Sequence, residues 1–306
     1  MSLVPAWFAL SVVLTQAPPP AMPQAQIDAA KKLEEAAMEL IRAGRYADSE
    51  KPLQEAIALW TRYRGPDDLE VLSDTRMLAV SRRRKGDAPG AVLLLEKVLE
   101  KLDRSKDPRA PELKLAVLND LAAAYKYAGR VKQAQATFEG LLQQLSKLGD
   151  APELEEEKAR VLDNLATLLL DDGKDVAGAE RYARQGYAKW KALRGDADDP
   201  DLAISASILG GIATRKGDLK EARRLLEEAL RIHEKFAGPD SPNVAATLNL
   251  LSDLEVAAGR PDAARAALVR SLEISKKLKL DPRHYLVVQA QNGLKQLDQK
   301  PASPRR

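Results

Sequence analysis

Asn119, Asn164 and Asn249 recur at comparable places along the chain, each just ahead of a leucine-small residue pair. An amide side chain carries two donors and an acceptor, so it can clamp the backbone of an extended ligand whatever the ligand's side chains are. Arg76, Arg83, Arg84 and Lys126 fall in the same stretches, with Tyr127 beside the last. Guanidinium and ammonium groups make charge-assisted hydrogen bonds to carboxylates, which suits an acidic peptide or a chain-terminal carboxylate. Both sets have a second use. An asparagine can instead bond the adjacent helix or water. The run RRRK at 82–85 puts cations at the C-terminal end of a helix, where the dipole favours them. That explanation suffices for Arg82 and Lys85 and leaves Arg83 a binding candidate.

This is binding chemistry, and the signs of catalysis are missing. There is no phosphate loop ending in Lys-Ser/Thr, no Gly-x-Ser-x-Gly elbow and no His-Glu-x-x-His. The sequence has no cysteine, which removes thiol catalysis, disulfides and cysteine-based metal sites. Its two histidines, His233 and His284, are too few for a metal cluster without carboxylate help. His233, in RIHEK, reads as a solvated or capping side chain, and Gly210-Gly211 as a place where helices pack closely. Glu155, Glu156 and Glu157 suit the first turn of a helix. No enzyme, no cofactor and no metal site is expected.

What must position the binding residues is a repeat. Gly44, Gly86, Gly129, Gly173, Gly217 and Gly259 are spaced by 42, 43, 44, 44 and 42 residues, and a constant period of that size signals a stacked array. An amphipathic helix precedes each glycine, as in Leu115, Leu118, Leu121, Ala122 and Tyr125. A second follows, as in Val131, Ala134, Phe138, Leu141, Leu142 and Leu145. The glycine ends the first helix in the left-handed conformation. Asp218 with Glu221 forms a capping box, and Asp87 caps a helix with Pro89 in its first turn. Ser241-Pro242, Asp199-Pro200 and Asp281-Pro282 each place a cap before a proline at the boundary between units. Short connections make neighbouring helices antiparallel.

A leucine-small pair, a glycine eight residues on and an alanine five beyond it resemble the tetratricopeptide repeat. The residues are Leu78-Ala79, Gly86, Ala91; Leu121-Ala122, Gly129, Ala134; Leu209-Gly210, Gly217, Ala222; and Leu251-Ser252, Gly259, Ala264. The first unit is degenerate (Ala36-Ala37, Gly44, Ser49), and the fourth (Leu165-Ala166, Gly173, Ala179) carries one extra residue, so its turn should differ. The family's usual unit is 34 residues. Units of about 42, roughly one extra turn per helix, resemble the kinesin-light-chain type. The resemblance covers 26–298 and implies an all-α, right-handed α-solenoid: repeats at about 26–66, 67–109, 110–150, 151–198, 199–240 and 241–281, then a capping helix at 282–298. That helix should bury Leu286, Ala290, Leu294 and Leu297 and turn a polar side outward, ahead of a disordered tail at 299–306.

The resemblance further implies that first helices line a concave, peptide-binding face. Spacing from the leucine-small pair then puts Arg76, Val80, Arg83 and Arg84 on that face, with Asn119, Ala123, Lys126 and Tyr127 in the third unit. Arg160, Asp163, Asn164 and Thr167 follow in the fourth, and Asn249, Asp253 and Val256 in the sixth. The fifth has Ser207 and Ile208 instead and no amide clamp. The expected partner is a protein or peptide of acidic character, bound by a scaffold or adaptor. The alternative is a structural component of a larger, envelope-associated assembly that self-associates through its convex face or terminal repeats.

Charged residues are 30% of the chain and nearly cancel, at a net +3, while aromatics are only 4%. Neither a basic excess nor stacking partners are present for nucleic acid. Residues 3–14, LVPAWFALSVVL, are almost wholly apolar and run into TQAPPPAMPQAQ. The run is too short to span a bilayer but fits the hydrophobic part of a secretory signal. Residues 1–25 then form a signal peptide and proline-rich spacer, the mature chain keeps no stable membrane span, and the protein is exported to the periplasm or cell envelope. The other reading is an apolar tail packed on the first repeat of a cytoplasmic protein. N-terminal sequencing of the native protein separates the two: export predicts a start within residues 18–26, and an intact Met1 contradicts it.

Overall fold

The computed structural model describes residues 21–195 and 198–299. Most of the expected leader and the tail from 300 onward lie outside them. Among the described residues there are thirteen α-helices and no strand. In order they are α1 (Gln24–Arg42), α2 (Tyr46–Arg64), α3 (Leu69–Lys85), α4 (Ala88–Arg104), α5 (Ala110–Tyr127), α6 (Val131–Leu148) and α7 (Pro152–Asp172). The row continues with α8 (Val176–Arg194), α9 (Pro200–Lys216), α10 (Leu219–Ala237), α11 (Pro242–Ala257), α12 (Pro261–Lys277) and α13 (Tyr285–Gln299). Each helix packs on the next, and the odd-numbered helices from α3 to α13 also touch one another in succession. The molecule is an α-solenoid with odd helices in an inner layer and even helices outside.

The boundaries follow from local chemistry. Asp68, Asp87, Asp175, Asp199, Asp218 and Ser241 each accept a backbone N–H from the first turn of the helix they precede, satisfying donors that the helix leaves unpaired. The six repeat glycines all have positive φ, from 71° at Gly44 to 107° at Gly86. After five of them the next residue bonds back five positions, as Asp87 N does to Arg82 O at 2.8 Å, which closes the helix end. At Gly173 the extra residue changes this. The helix end is closed by Gly173 N to Leu169 O at 3.0 Å, and Asp175 caps α8 from one position later. Asp281 caps no helix. Its carboxylate accepts the Arg283 backbone N–H at 2.8 Å, a turn that delays α13 to Tyr285.

Small residues set how closely the layers approach. Ala37, Ala79, Ala122 and Ala166, and across from them Ala91, Ala134, Ala179, Ala222 and Ala264, are wholly buried. A Cβ on Gly210 would lie 2.7 Å from Leu226 Cγ, so only glycine fits there. In the degenerate first unit the small residue is Ser49, whose hydroxyl lies 2.8 Å from that of Ser81.

Between units runs a polar seam. The residue ten before each turn glycine is Glu34, Arg76, Asn119, Asp163, Ser207 and Asn249, and from the second unit on it meets the next inner helix. Arg76 Nη1 donates to Asp120 at 2.6 Å. Asn119 Oδ1 accepts from Asn164 at 3.1 Å. Asp163 accepts from Ser205 at 2.7 Å and from Trp190 at 2.9 Å. Ser207 lies 3.4 Å from Thr247, and Asn249 donates to Leu286 O at 3.2 Å. A buried polar group must be paired or it destabilises the fold.

The first junction repeats the fourth with one exchange. Glu34 and Trp60 bond each other (2.6 Å) as Asp163 and Trp190 do. Asp74 stands where Ser205 stands, twelve residues before the glycine. Burial, then the charges of Glu34 and Glu70, push the Asp74 carboxyl up to about 8. It is therefore protonated at neutral pH, and its Oδ2 is buried without a hydrogen-bond partner. A raised folded pKa means that the stability this group contributes is complete below the unfolded value and is lost as pH rises through about 8. Asp74→Asn keeps a donor without titrating. It should gain about 2 kcal/mol on the unsubstituted protein between pH 6 and 9, measured by urea unfolding. Parallel pH profiles would contradict this.

Candidate functional site

The row of repeats curves until its end meets its beginning. The connection between α12 and α13, residues 278–284, packs on the first turns. A Cβ on Gly44 would sit 3.6 Å from Leu278 Cδ2, and one on Gly86 would sit 3.1 Å from Arg283 Cβ. Gly86 thus answers two demands, a left-handed turn and a close neighbour. The rings of Tyr46 and His284 lie parallel with centroids 6.4 Å apart, and Tyr285 is 5.0 Å from Tyr127. The last helix is therefore tied to the first, second and third units.

This return contact half-buries Arg83 and Arg84, two of the basic side chains expected in the groove. The Arg83 guanidinium lies 5.5 Å from the centre of the Tyr127 ring, and burial, then its neighbour Arg84, draws it below its ordinary pKa. Burial raises the phenols of Tyr127 and Tyr285. His284 is held down to about 4 by burial, then by Arg84 and Arg83, so it is neutral at pH 7. Its Nδ1 accepts the Leu286 backbone N–H at 3.3 Å.

Beneath the return contact, α13 lies along the inner layer and, with α5, α7, α9 and α11, walls a half-open channel of about 920 Å³. Its wall mixes apolar and polar groups. Leu168, Leu170, Ala246, Leu250 and Leu268 alternate with Lys126, Asp171, Thr214, Arg215, Asn249 and Asp253. From the other side come Tyr285, Gln289, Asn292 and Gln296. The last three belong to the polar side of α13, which is exposed as expected and borders the channel as well.

The expected site residues divide. Lys126, Tyr127 and Asn249 line the channel, as does Asp253. Arg76, Arg83, Asn119 and Asn164 do not. Arg76 is held by Asp120, and Asn119 and Asn164 bond each other across the third and fourth units. Asn164 also stands one residue out of register, nine rather than ten before its glycine, and the matching residue is Asp163. Asp163 is buried in the seam rather than exposed on the concave face, and its carboxyl is raised to about 7 chiefly by burial. His233 is buried rather than solvated, and burial lowers it to about 4.

Sequence reasoning missed Asp171, Arg215 and the amides of α13. One signal was present. The residue two before the turn glycine is Tyr127, Asp171, Arg215 and Ala257 in the third to sixth units, and all four line the channel. Lys126 Nζ lies 2.7 Å from Asp171. Asp253 is open to the channel but ringed by protein, and its carboxyl is raised by that desolvation and by Asp171, against the pull of Arg215. No group of three or more metal-ligating side chains occurs among the described residues. None of the described helices is long and apolar enough to cross a membrane.

An inner and an outer layer of paired helices, joined at glycine turns and enclosing a channel, define an α-solenoid of helix-turn-helix repeats. The tetratricopeptide-repeat family model matches residues 28–103 and 201–277, half of the chain, and the chain belongs to that family. No curated protein matches it. Among solved structures it is similar to BtubC (BKLC) from P. vanneervenii, 20% identical over 92% of this chain and 93% of that one, with a TM-score of 0.51. It is similar to the Rap conjugation gene regulator of plasmid pLS20, solved with the Phr* peptide, at 14% identity over 86% and 73% and a TM-score of 0.64. A Podosopora anserina protein with nearly identical kinesin-light-chain TPR-like repeats is 25% identical over 68% and 96%, with a TM-score of 0.48.

The return contact is open to test. His284→Ala and Tyr285→Ala should each enlarge the radius of gyration in X-ray scattering and lower stability by about 1–3 kcal/mol. His284 is depressed in the folded state, so its stabilisation is full above about 6.5 and is lost as pH falls toward about 4. His284→Gln should flatten that acid limb, and an unchanged limb would contradict the assignment.

Proposed function

We propose that this protein is an interaction scaffold that holds a peptide segment of a partner in the channel between its inner helices and α13. The observation that carries this reading is the channel itself. It is large enough for a short peptide, its leucines can take apolar side chains, and amides project into it from both α11 and α13. Such a mixture suits a ligand with alternating side chains and backbone amides. Family membership supports the scaffold class, and the fold likeness to a Rap regulator solved with a peptide supports a peptide as the ligand. The site runs from the third unit to α13, while the chain's own C-terminal connection packs on the turns of the first two.

Panning a displayed peptide library against the purified protein tests the reading. Enriched peptides should bind Ala257→Trp, which narrows the channel, at least about tenfold more weakly than the unsubstituted protein, a difference near 1.4 kcal/mol. Leu93→Ser on exposed surface should leave their affinity unchanged. Equal binding to Ala257→Trp would contradict a channel site.

A further inference from the structure

The charges that line the channel are not equally engaged. Lys126 is paired with Asp171 at 2.7 Å, and Asp172 with Lys174 at 2.9 Å. Among the described residues, Asp253 forms no ion pair within 4.0 Å. Arg215, the cation whose charge pulls on Asp253, reaches instead over the turn at Gly173, where an added Cβ would meet its Nη1 at 2.7 Å.

A second acceptor lies beside Asp253. Asn249 precedes it by four residues on α11, so the two share one face a turn apart. Asn249 is 7% exposed and belongs to the channel lining. Its Nδ2 donates to Leu286 O at 3.2 Å, which fixes the amide and leaves Oδ1 buried without a partner. A buried acceptor left unpaired costs about 1–3 kcal/mol, so it favours a ligand that brings N–H donors. Two oxygen acceptors on one face, one of them charged, describe a receptor for a nitrogen cation. Leu250 and Ala246 flank them and can cover the apolar stem of a long basic side chain.

We propose that the Asn249–Asp253 face of α11 is the subsite for a cationic nitrogen of the bound peptide, an ammonium or a guanidinium. The subsite rests on the peptide-channel reading and gives it a charge. The occupant is a basic peptide, the reverse of the acidic one expected from Arg76, Arg83 and Lys126. Two of those cations are already paired with carboxylates, and the third is covered by Tyr127.

Fluorescence anisotropy with hexapeptide libraries on an apolar frame tests this. One library carries a free amine without basic side chains, and one is N-acetylated with a single lysine or arginine. A third is N-acetylated and neutral, and a fourth carries a single acidic residue. The proteins are the full chain, Asp253→Asn, Asp253→Lys and the blocked-channel Ala257→Trp, each checked by thermal melting. The full chain should bind one of the two cationic libraries at least about tenfold more tightly than the neutral one, and which one identifies an N-terminal amine or a side chain. Asp253→Asn should abolish that preference without weakening neutral peptides, and Asp253→Lys should invert it toward the acidic library. A preference that survives Asp253→Asn, or an acidic preference in the full chain, overturns the cation subsite. If Ala257→Trp still weakens every library in that case, the channel reading stands without it. Failure of all four libraries to bind overturns both.

Discussion

The return of the α12–α13 connection onto the first turns is the contact on which the rest of the site depends. A stack of helical pairs makes only nearest-neighbour contacts, so an open row offers a long shallow groove along its inner layer. Here Leu278, Arg283, His284 and Tyr285 reach the turns and inner helices of the first three units. That contact converts a groove into a channel and turns α13 from an end cap into a wall. It also decides which part of the inner surface is free. The turns of the first two units pack on the chain's own C-terminal segment, and the inner helices of the later units border the channel.

The seam beneath the channel imposes the second constraint. A polar side chain ten residues before each glycine faces the next unit in the row, and burial requires it to find a partner there. Arg76, Asn119 and Asp163 find side-chain partners in this way. Asn249 is used only in part, because its partner is the backbone of α13 and one of its polar atoms is left over. The same position in the repeat thus serves assembly in four units and contributes to the channel in the sixth.

The fold was legible because its signals are local and repeated. Glycines at a fixed period, aspartate caps and alanines at fixed offsets each report a backbone requirement that neighbouring residues alone satisfy. The degenerate Ser49 and the lengthened Gly173 turn were legible for the same reason. The site was legible only in part. Helical spacing places Lys126, Tyr127, Asn249 and Asp253 on the inner layer, and they are there. Spacing along one helix says nothing about what covers that layer, so Arg83 and Arg84 read as open when Tyr127, His284 and Tyr285 leave them half-buried. The polar side of α13 is solvent-facing as read, but amides suit bulk water and a wet channel equally well, so their type did not show that they also border the channel. Whether Asn119 grips a ligand or its neighbour depends on the offset between units, and that offset is set by packing across the whole stack.

The absence of cysteine from the sequence allows ring closure to be measured directly. Spin labels on cysteines introduced at the exposed positions Arg42 and Lys276 flank the contact between the Gly44 turn and Leu278. Pulsed electron paramagnetic resonance should give one narrow distribution at short distance. A broad distribution at long distance would mean that the row is open in solution, and the channel, with everything inferred from its lining, would not exist.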